Sequence, residues 1–388
     1  MTYNTIACHS VGYWCYFFHL NIVIKIKSMK LFKFFALIVA AATFVACDNN
    51  GGDGTKEPPK PDTNIVTIEA ASQTVRIEQE LAFTVKFNGE DVTAESTIYN
   101  AANNEVVSNP FVAPSESCEM QFYATYGFYE SEPIVIEVVT GNDFNHRVLL
   151  VDHTGTGCPN CPNMSSMLHE LAKTKYHLRY SEAAAHWGGY ATRDPARSDA
   201  AAVVGGHFPV TGYPNLTYNF NHKEITSGYP TASTGVKMIQ AELDILWKPA
   251  ADAGIKINSA LNGDDITVDV EVTSKVEQQY HVVAWLLEDN IYGQQSNGRE
   301  EYHNYHNNCI RAISAGNSDD LSGDDMGVIS ADGIASKQLK LKAESGWDKS
   351  NLKVLVIVSA PSSAHDGKFE VVNTAVCPVN GSKDYEYR

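Results

Sequence analysis

Two thiols separated by two residues, in Cys158-Pro159-Asn160-Cys161, are the groups of this chain best suited to chemistry. In a CxxC pair the first thiolate attacks a disulfide and the second resolves the mixed disulfide. Reactivity therefore follows the pKa of the first sulfur, which ranges from about 3.5 to about 7.5 with the donors around it. The flanking residues indicate what those donors are. An apolar run from Val148 to Val151 leads into Asp152, a turn rich in Gly and Thr, the two cysteines, and then apolar residues at Met164, Met167, Leu168 and Leu171. The run suits a buried strand, and the later spacing marks one face of a helix. Strand, turn and helix thus meet at the cysteines. Cys158 is predicted at a helix N-terminus, where free N–H groups and the helix dipole favour a thiolate. Pro162 fits a first helical turn, where its missing N–H costs nothing. Asp152, if buried, would have its pKa raised by desolvation and could relay a proton to or from Cys161; a solvated or turn-capping aspartate is the alternative. His153 beside it reads as polar loop surface. No second CxxC or nearby Cys/His pair completes a set of zinc ligands here.

The stretch from Val148 to Thr174 resembles the active-site segment of the thioredoxin superfamily, in which a central strand ends in an acid and CxxC opens the helix. Asp152 stands where that family keeps its buried acid. Downstream, Val210 to Tyr218 resembles the segment in which the family holds a cis-proline facing the cysteines. The resemblance implies a cis Tyr213–Pro214 bond and a substrate-binding backbone edge at Tyr213 and Pro214; X-Pro bonds are the ones where cis costs little. It also implies a thioredoxin-like α/β domain over residues 142–250. Within it, Tyr176 to His186 reads as a second strand and Ser198 to Val204 as part of a helical insertion. Pro214 to Asn219 reads as the strand after the proline, and Thr234 to Leu246 as a closing amphipathic helix.

The chain's beginning concerns location. Residues 30–47 carry Lys30 and Lys33, an apolar core from Phe34 to Val45, and Ala46 before Cys47. The core is too short for a bilayer that needs about twenty helical residues, and it reads as a signal peptide over residues 29–46. The ending Phe44-Val45-Ala46-Cys47 resembles the lipobox of bacterial lipoproteins, which implies lipidation at Cys47; ordinary secretory cleavage near Ala46 is the alternative. Residues 1–28 precede Met29 and read as a mis-assigned start. Residues 47–63, rich in Gly, Pro and charge, have a tether's composition. From Cys47 onward 25 basic residues face 46 acidic ones, a balance near −21. Such a chain lacks the basic stripe that nucleic-acid binding requires. The expected partners are exported or surface proteins, with the membrane reached through the N-terminal lipid.

On either side of the cysteine segment the pattern is β. Residues 64–141 show short alternating runs such as Val66 to Ile68, Leu81 to Val85 and Ile134 to Val138, with an Asn88-Gly89 turn; they read as an Ig-like β-sandwich serving as a stalk or a binding module. Residues 251–388 alternate likewise and read as a second β-sandwich. The fold class expected is therefore α/β plus β: a thioredoxin-like α/β domain flanked by an N-terminal Ig-like β-sandwich and a C-terminal β-sandwich. Lipobox, tether, CxxC segment and the run Glu301 to Arg311 together resemble the outer membrane protein 28 family of lipoproteins from Bacteroides-type bacteria, which implies an outer-membrane location.

Cys309 and Cys377 are expected to pair, closing a loop of about 67 residues and leaving Cys118 as the odd thiol. Glu300, Glu301, His303 and His306 carry metal-ligand groups, but their stretch lacks helical periodicity, and no metal is expected there. No Ser-His-Asp set, P-loop or dinucleotide fingerprint is evident, and no cofactor is expected. Two functions remain open: disulfide exchange with exported proteins, which calls for Cys158 exposed with Cys161 behind it, or a non-enzymatic surface or adhesion protein using the same fold as a scaffold.

Overall fold

Burial along each strand follows its place in the sheets. Asp265–Ser274 alternates buried and more exposed residues, the mark of a strand with one face on a core, whereas Val148–Thr154 is buried at every position, the mark of a strand covered on both faces. The computed structural model describes residues 64–188, 193–220, 225–226, 231–314, 321–363 and 368–388. The signal segment, Cys47 and the tether lie outside the described residues.

A large nine-stranded sheet runs in the order Ile225–Thr226, Asn215–Tyr218, Val148–Thr154, Tyr180–His186, Cys309–Ile313, Gln278–Glu288, Leu352–Pro361, Phe369–Pro378, with Asp324–Ile329 also pairing with Gln278–Glu288. A small four-stranded sheet is ordered Ile334–Lys342, Asp265–Ser274, Ala253–Asn262, Ser382–Lys383. The period of two decides what each strand contributes. Val282, Ala284 and Leu286 join a core with Ile255, Val268 and Val270 of the small sheet. Val283, Trp285 and Leu287 point the other way, into a core with Ala201 and Val204 of the helix Asp199–His207. Farther along the large sheet, Val148 and Leu150 pack on the helices Cys161–Ala172 and Ala232–Leu246 through Met164, Met167, Leu171, Val236, Ile239 and Leu243.

The N-terminal residues build their own core around Ile68, Val85, Phe122 and Ile136. Val66–Ala70, Phe83–Phe87 and Glu90–Asp91 form one sheet, and Cys118–Tyr126 and Ile134–Val139 lie in another. Asn88 and Gly89 have φ of 53° and 87°, the positive pair that a tight hairpin between Phe83–Phe87 and Glu90–Asp91 requires.

The fold expectation is corrected on one point. Among the described residues there is no separate thioredoxin-like α/β domain: the architecture is mostly β and of sandwich type, and the strands around the cysteines belong to the same sheet as the strands of the C-terminal segment. Edge pairing supplies the reason. Tyr180–His186 would otherwise leave a row of unpaired N–H and C=O groups. Instead Ala184 stands opposite Cys309 in parallel register, and its N–H donates to Asn308 O at 2.8 Å.

A second correction concerns the thiols. Cys309 and Cys377 are both free and buried, and Cys118 is free and exposed. The strands Gln278–Glu288 and Leu352–Pro361 lie between the strands bearing Cys309 and Cys377. At about 4.8 Å per strand the two are separated by roughly 14 Å, against the roughly 7 Å Cα limit for a disulfide.

Candidate functional site

Cys158 and Cys161 are joined by a disulfide in the turn between Val148–Thr154 and the helix Cys161–Ala172. The helix opens at Cys161 rather than Cys158, so the first cysteine sits in the preceding turn, its N–H donating to Gly155 O at 3.0 Å. The N-cap residue, Asn160, makes no side-chain cap. A cap contributes about 1 kcal/mol, whereas a fully buried Met or Leu contributes about 1.5–3 kcal/mol. Burial of Met164, Met167 and Leu171, none more than 1% exposed, therefore positions this helix. Both cysteines are only 2% exposed, so the pair does not show the exposed Cys158 that an openly reactive site would have.

Behind the disulfide lies a polar cavity of about 220 Å³, lined by Cys161, Asp152, Glu182, His186 and His306 among others. Asp152 is buried, and its Oδ1 has no hydrogen-bond partner among the described residues. Burial, and secondarily the nearby Glu182 carboxylate, push its pKa well above the ordinary 3.8. Burial raises Glu182 as well. Burial thus favours the protonated form of Asp152 in the cavity that Cys161 also lines. His153 departs from its expected surface role: it is fully buried, its Nε2 lies 2.9 Å from Thr217 Oγ1, and its ring meets the edge of Phe208. Burial lowers its pKa to about 3.

The Tyr213–Pro214 bond is cis. Asn215 stands opposite His153 in antiparallel register, which brings Pro214 to the sheet end from which the cysteine turn leaves. Tyr213 packs edge-on against Trp187, and burial raises its phenol pKa to about 12. Its ring fills the space a side chain on Gly188 would need, at a residue whose φ of +82° already favours glycine.

Two surrounding segments carry groups that the sequence reading did not single out. Asp194 accepts from the backbone N–H of Thr156 at 2.7 Å and of Ala196 at 2.9 Å, and its Oδ2 lies 2.8 Å from His186 Nδ1. Burial works against its ionisation, but the His186 contact and the backbone donors outweigh it and hold its pKa at about 2. From the other side comes a strap, Gly293 to His306, closed at its base by pairing of Ile291–Tyr292 with Tyr305–His306. Gln295 Nε2 donates to Cys158 O at 2.9 Å and Thr156 O at 3.1 Å, and Ser296 N–H donates to Thr156 O at 2.7 Å. Asn297 Nδ2 reaches Pro159 O at 3.1 Å. Of the residues weighed as metal ligands, His303 accepts backbone N–H groups of Arg299 and Glu300 at Nδ1, which leaves Nε2–H to donate to Ser166 Oγ at 3.0 Å. His306 Nε2 donates to Gly293 O at 2.9 Å. Glu300 and Glu301 are exposed. The only advance sign of the strap was its dense run of polar and His residues.

A β-sandwich scaffold with a buried disulfide over a polar cavity is the class of protein described by this geometry. Residues 204–379 match the family model described as outer membrane protein Omp28, a span that includes the strap but not Cys158 and Cys161. Among solved structures, HBP35 of Porphyromonas gingivalis is similar over 63% of this chain and 78% of that chain, with 16% identity and a TM-score of 0.49. No curated protein matches the chain.

Proposed function

We propose that the protein is a lipoprotein of the outer membrane whose Cys158–Cys161 pair exchanges disulfides with exported proteins. The observation that carries this reading is the shared cavity, in which the buried Asp152, whose protonated form burial favours, and the resolving sulfur, Cys161, face the same space. A client thiolate attacks Cys158 Sγ and the bond to Cys161 breaks. Cys161 leaves as a thiolate and takes the Asp152 proton. A second client thiolate then attacks the mixed disulfide, forming the client's disulfide and releasing Cys158. Location rests on the family match and on the lysine-flanked apolar core that ends at Cys47.

The test is an oxidase and reductase assay on the full chain in detergent. Cys158→Ser should be inactive, and Cys161→Ser should trap a mixed disulfide with the client. Absence of turnover in the wild type sinks the exchange reading. The scaffold reading, in which the disulfide only staples the turn, is favoured by one observation, the 2% exposure of Cys158; it gains if the pair resists every protein thiol. For the anchor, Cys47→Ser should move the protein out of the membrane fraction, since acyl chains contribute about 0.8 kcal/mol per buried CH₂. Unchanged partitioning into detergent removes the lipid from the account.

A further inference from the structure

We propose that the strap from Gly293 to His306 determines which thiols reach the Cys158–Cys161 disulfide: it closes the turn to thiols in free solution and gives way to extended polypeptide segments. This deepens the exchange reading and rests on it for the identity of the clients. Three features support it.

First, the strap grips the cysteine turn by its carbonyls. Gln295 Nε2 bridges Thr156 O and Cys158 O and approaches Gly155 O at 3.3 Å. Ser296 N–H and the Asn297 amide add Thr156 O and Pro159 O. A second hold lies on the cysteine helix, where Tyr302 Oη and His303 Nε2 both reach Ser166 Oγ, at 3.2 and 3.0 Å, and the Tyr302 ring stacks on His169 with centroids 4.2 Å apart.

Second, the middle of the strap has nothing apolar to bury. From Gly293 to Glu301 it reads Gly-Gln-Gln-Ser-Asn-Gly-Arg-Glu-Glu, and Ser296 to Glu301 are all exposed. Its hold on the turn is hydrogen bonding, which water or another donor can replace. Its base is braced separately, by the Ile291–Tyr292 pairing and the His306 contact to Gly293 O, so the middle can lift without the base unpairing.

Third, the carbonyls it covers define what can replace it. Buried carbonyls left without donors are costly. An extended peptide carries backbone N–H groups that can take over Thr156 O, as Ser296 N–H does now, and add to the Cys161 N–H on Cys158 O, whereas a small thiol such as glutathione offers few. Gly293 also permits the close seat of the strap, since a Cβ there would meet Pro195 and the Thr156 methyl.

The experiment measures reduction of the Cys158–Cys161 disulfide in the full chain, by acid quench, alkylation and intact mass, with glutathione or an unstructured cysteine-containing peptide at equal thiolate concentration. In the wild type the peptide should react about ten-fold faster than glutathione or more. Gln295→Ala/Asn297→Ala should raise the glutathione rate about ten-fold and narrow that ratio. Tyr302→Ala, which loosens only the hold on the helix, should act in the same direction and guards against a local folding defect in the double variant; circular dichroism melts check that both remain folded. Equal glutathione rates in the wild type and both folded variants would falsify the screening role, and so would a wild-type peptide rate no higher than the glutathione rate. Any disulfide is reducible in this assay whether or not it turns over clients. A rise in the variants without client turnover therefore supports screening and counts against the exchange function alone.

Discussion

At one end of the large sheet the small sheet is laid over it, and the contacts are aliphatic: Ile255, Val268 and Val270 on one side, Val282, Leu286 and Val356 on the other. No buried side-chain nitrogen or oxygen on the described strands of the small sheet lacks a hydrogen-bond partner. At the other end, on the two faces of the strands Val148–Thr154 and Asn215–Tyr218, Asp152 Oδ1, His153 Nδ1 and Asn215 Oδ1 are buried without a partner among the described residues. An unpaired buried polar group costs about 1–3 kcal/mol. One end thus has the character of a core built for stability. The other retains groups that oppose stability, and such groups concentrate where chemistry or binding needs them.

The comparison can be tested by damaging each end separately. Leu286→Ala removes a fully buried side chain from the aliphatic end and should cost about 2–5 kcal/mol in chemical denaturation. It should leave the reactivity of Cys158 unchanged; a matching loss of reactivity would show that the ends are not independent.

Asp152→Asn acts on the other end and should have the opposite effect on stability. The folded pKa of Asp152 is raised above 3.8, so at pH values between the two the unfolded chain is ionised while the folded chain keeps its proton. Stability therefore falls as pH rises through that window. An asparagine does not titrate, so the variant should melt about 2 °C higher or more at pH 8. Its disulfide exchange should be slower by about 10²-fold, the loss of a positioned proton donor. A variant both less stable and equally fast would remove Asp152 from the site.

The smallest effect expected is in acid. Burial lowers His146 to about 4, His153 to about 3, and His306 to about 4, from an ordinary 6.5. Between those values and 6.5 the unfolded chain binds protons that the folded chain does not, so stability is lost as pH falls from about 6.5 toward 4. All of these residues lie on or beside the strand Val148–Thr154 or in the strap. Hydrogen exchange should therefore show the cysteine end loosening first as pH is lowered, with the aliphatic end still protected. Uniform loosening would erase the distinction.

Much of the local order was legible in the residues alone. The strand before the cysteines, the helix after them, the alternating strands of both flanks and the Asn88-Gly89 turn each depend on a few neighbouring residues, whose periods and special types carry the information, while the cis bond at Pro214 was implied by the resemblance of its segment. The burial of Asp152 was implied by the resemblance of its segment, with a solvated aspartate as the alternative; the structure buries it. The joining of sheets was not readable. Periodicity tells which face of a strand is buried but not what covers it, and the partner that closes the edge of Tyr180–His186 lies in Cys309–Ile313, far along the chain. The same holds for the thiols: Cys309 and Cys377 share a segment, yet the strand order sets them apart. It holds above all for the strap, whose Gln295 meets Cys158 across a separation of 137 residues. Residue type alone marks Gln295 as an ordinary loop amide. Only the tertiary structure, by bringing the carbonyls of the cysteine turn against a loop that carries donors, sets it on the Cys158 carbonyl.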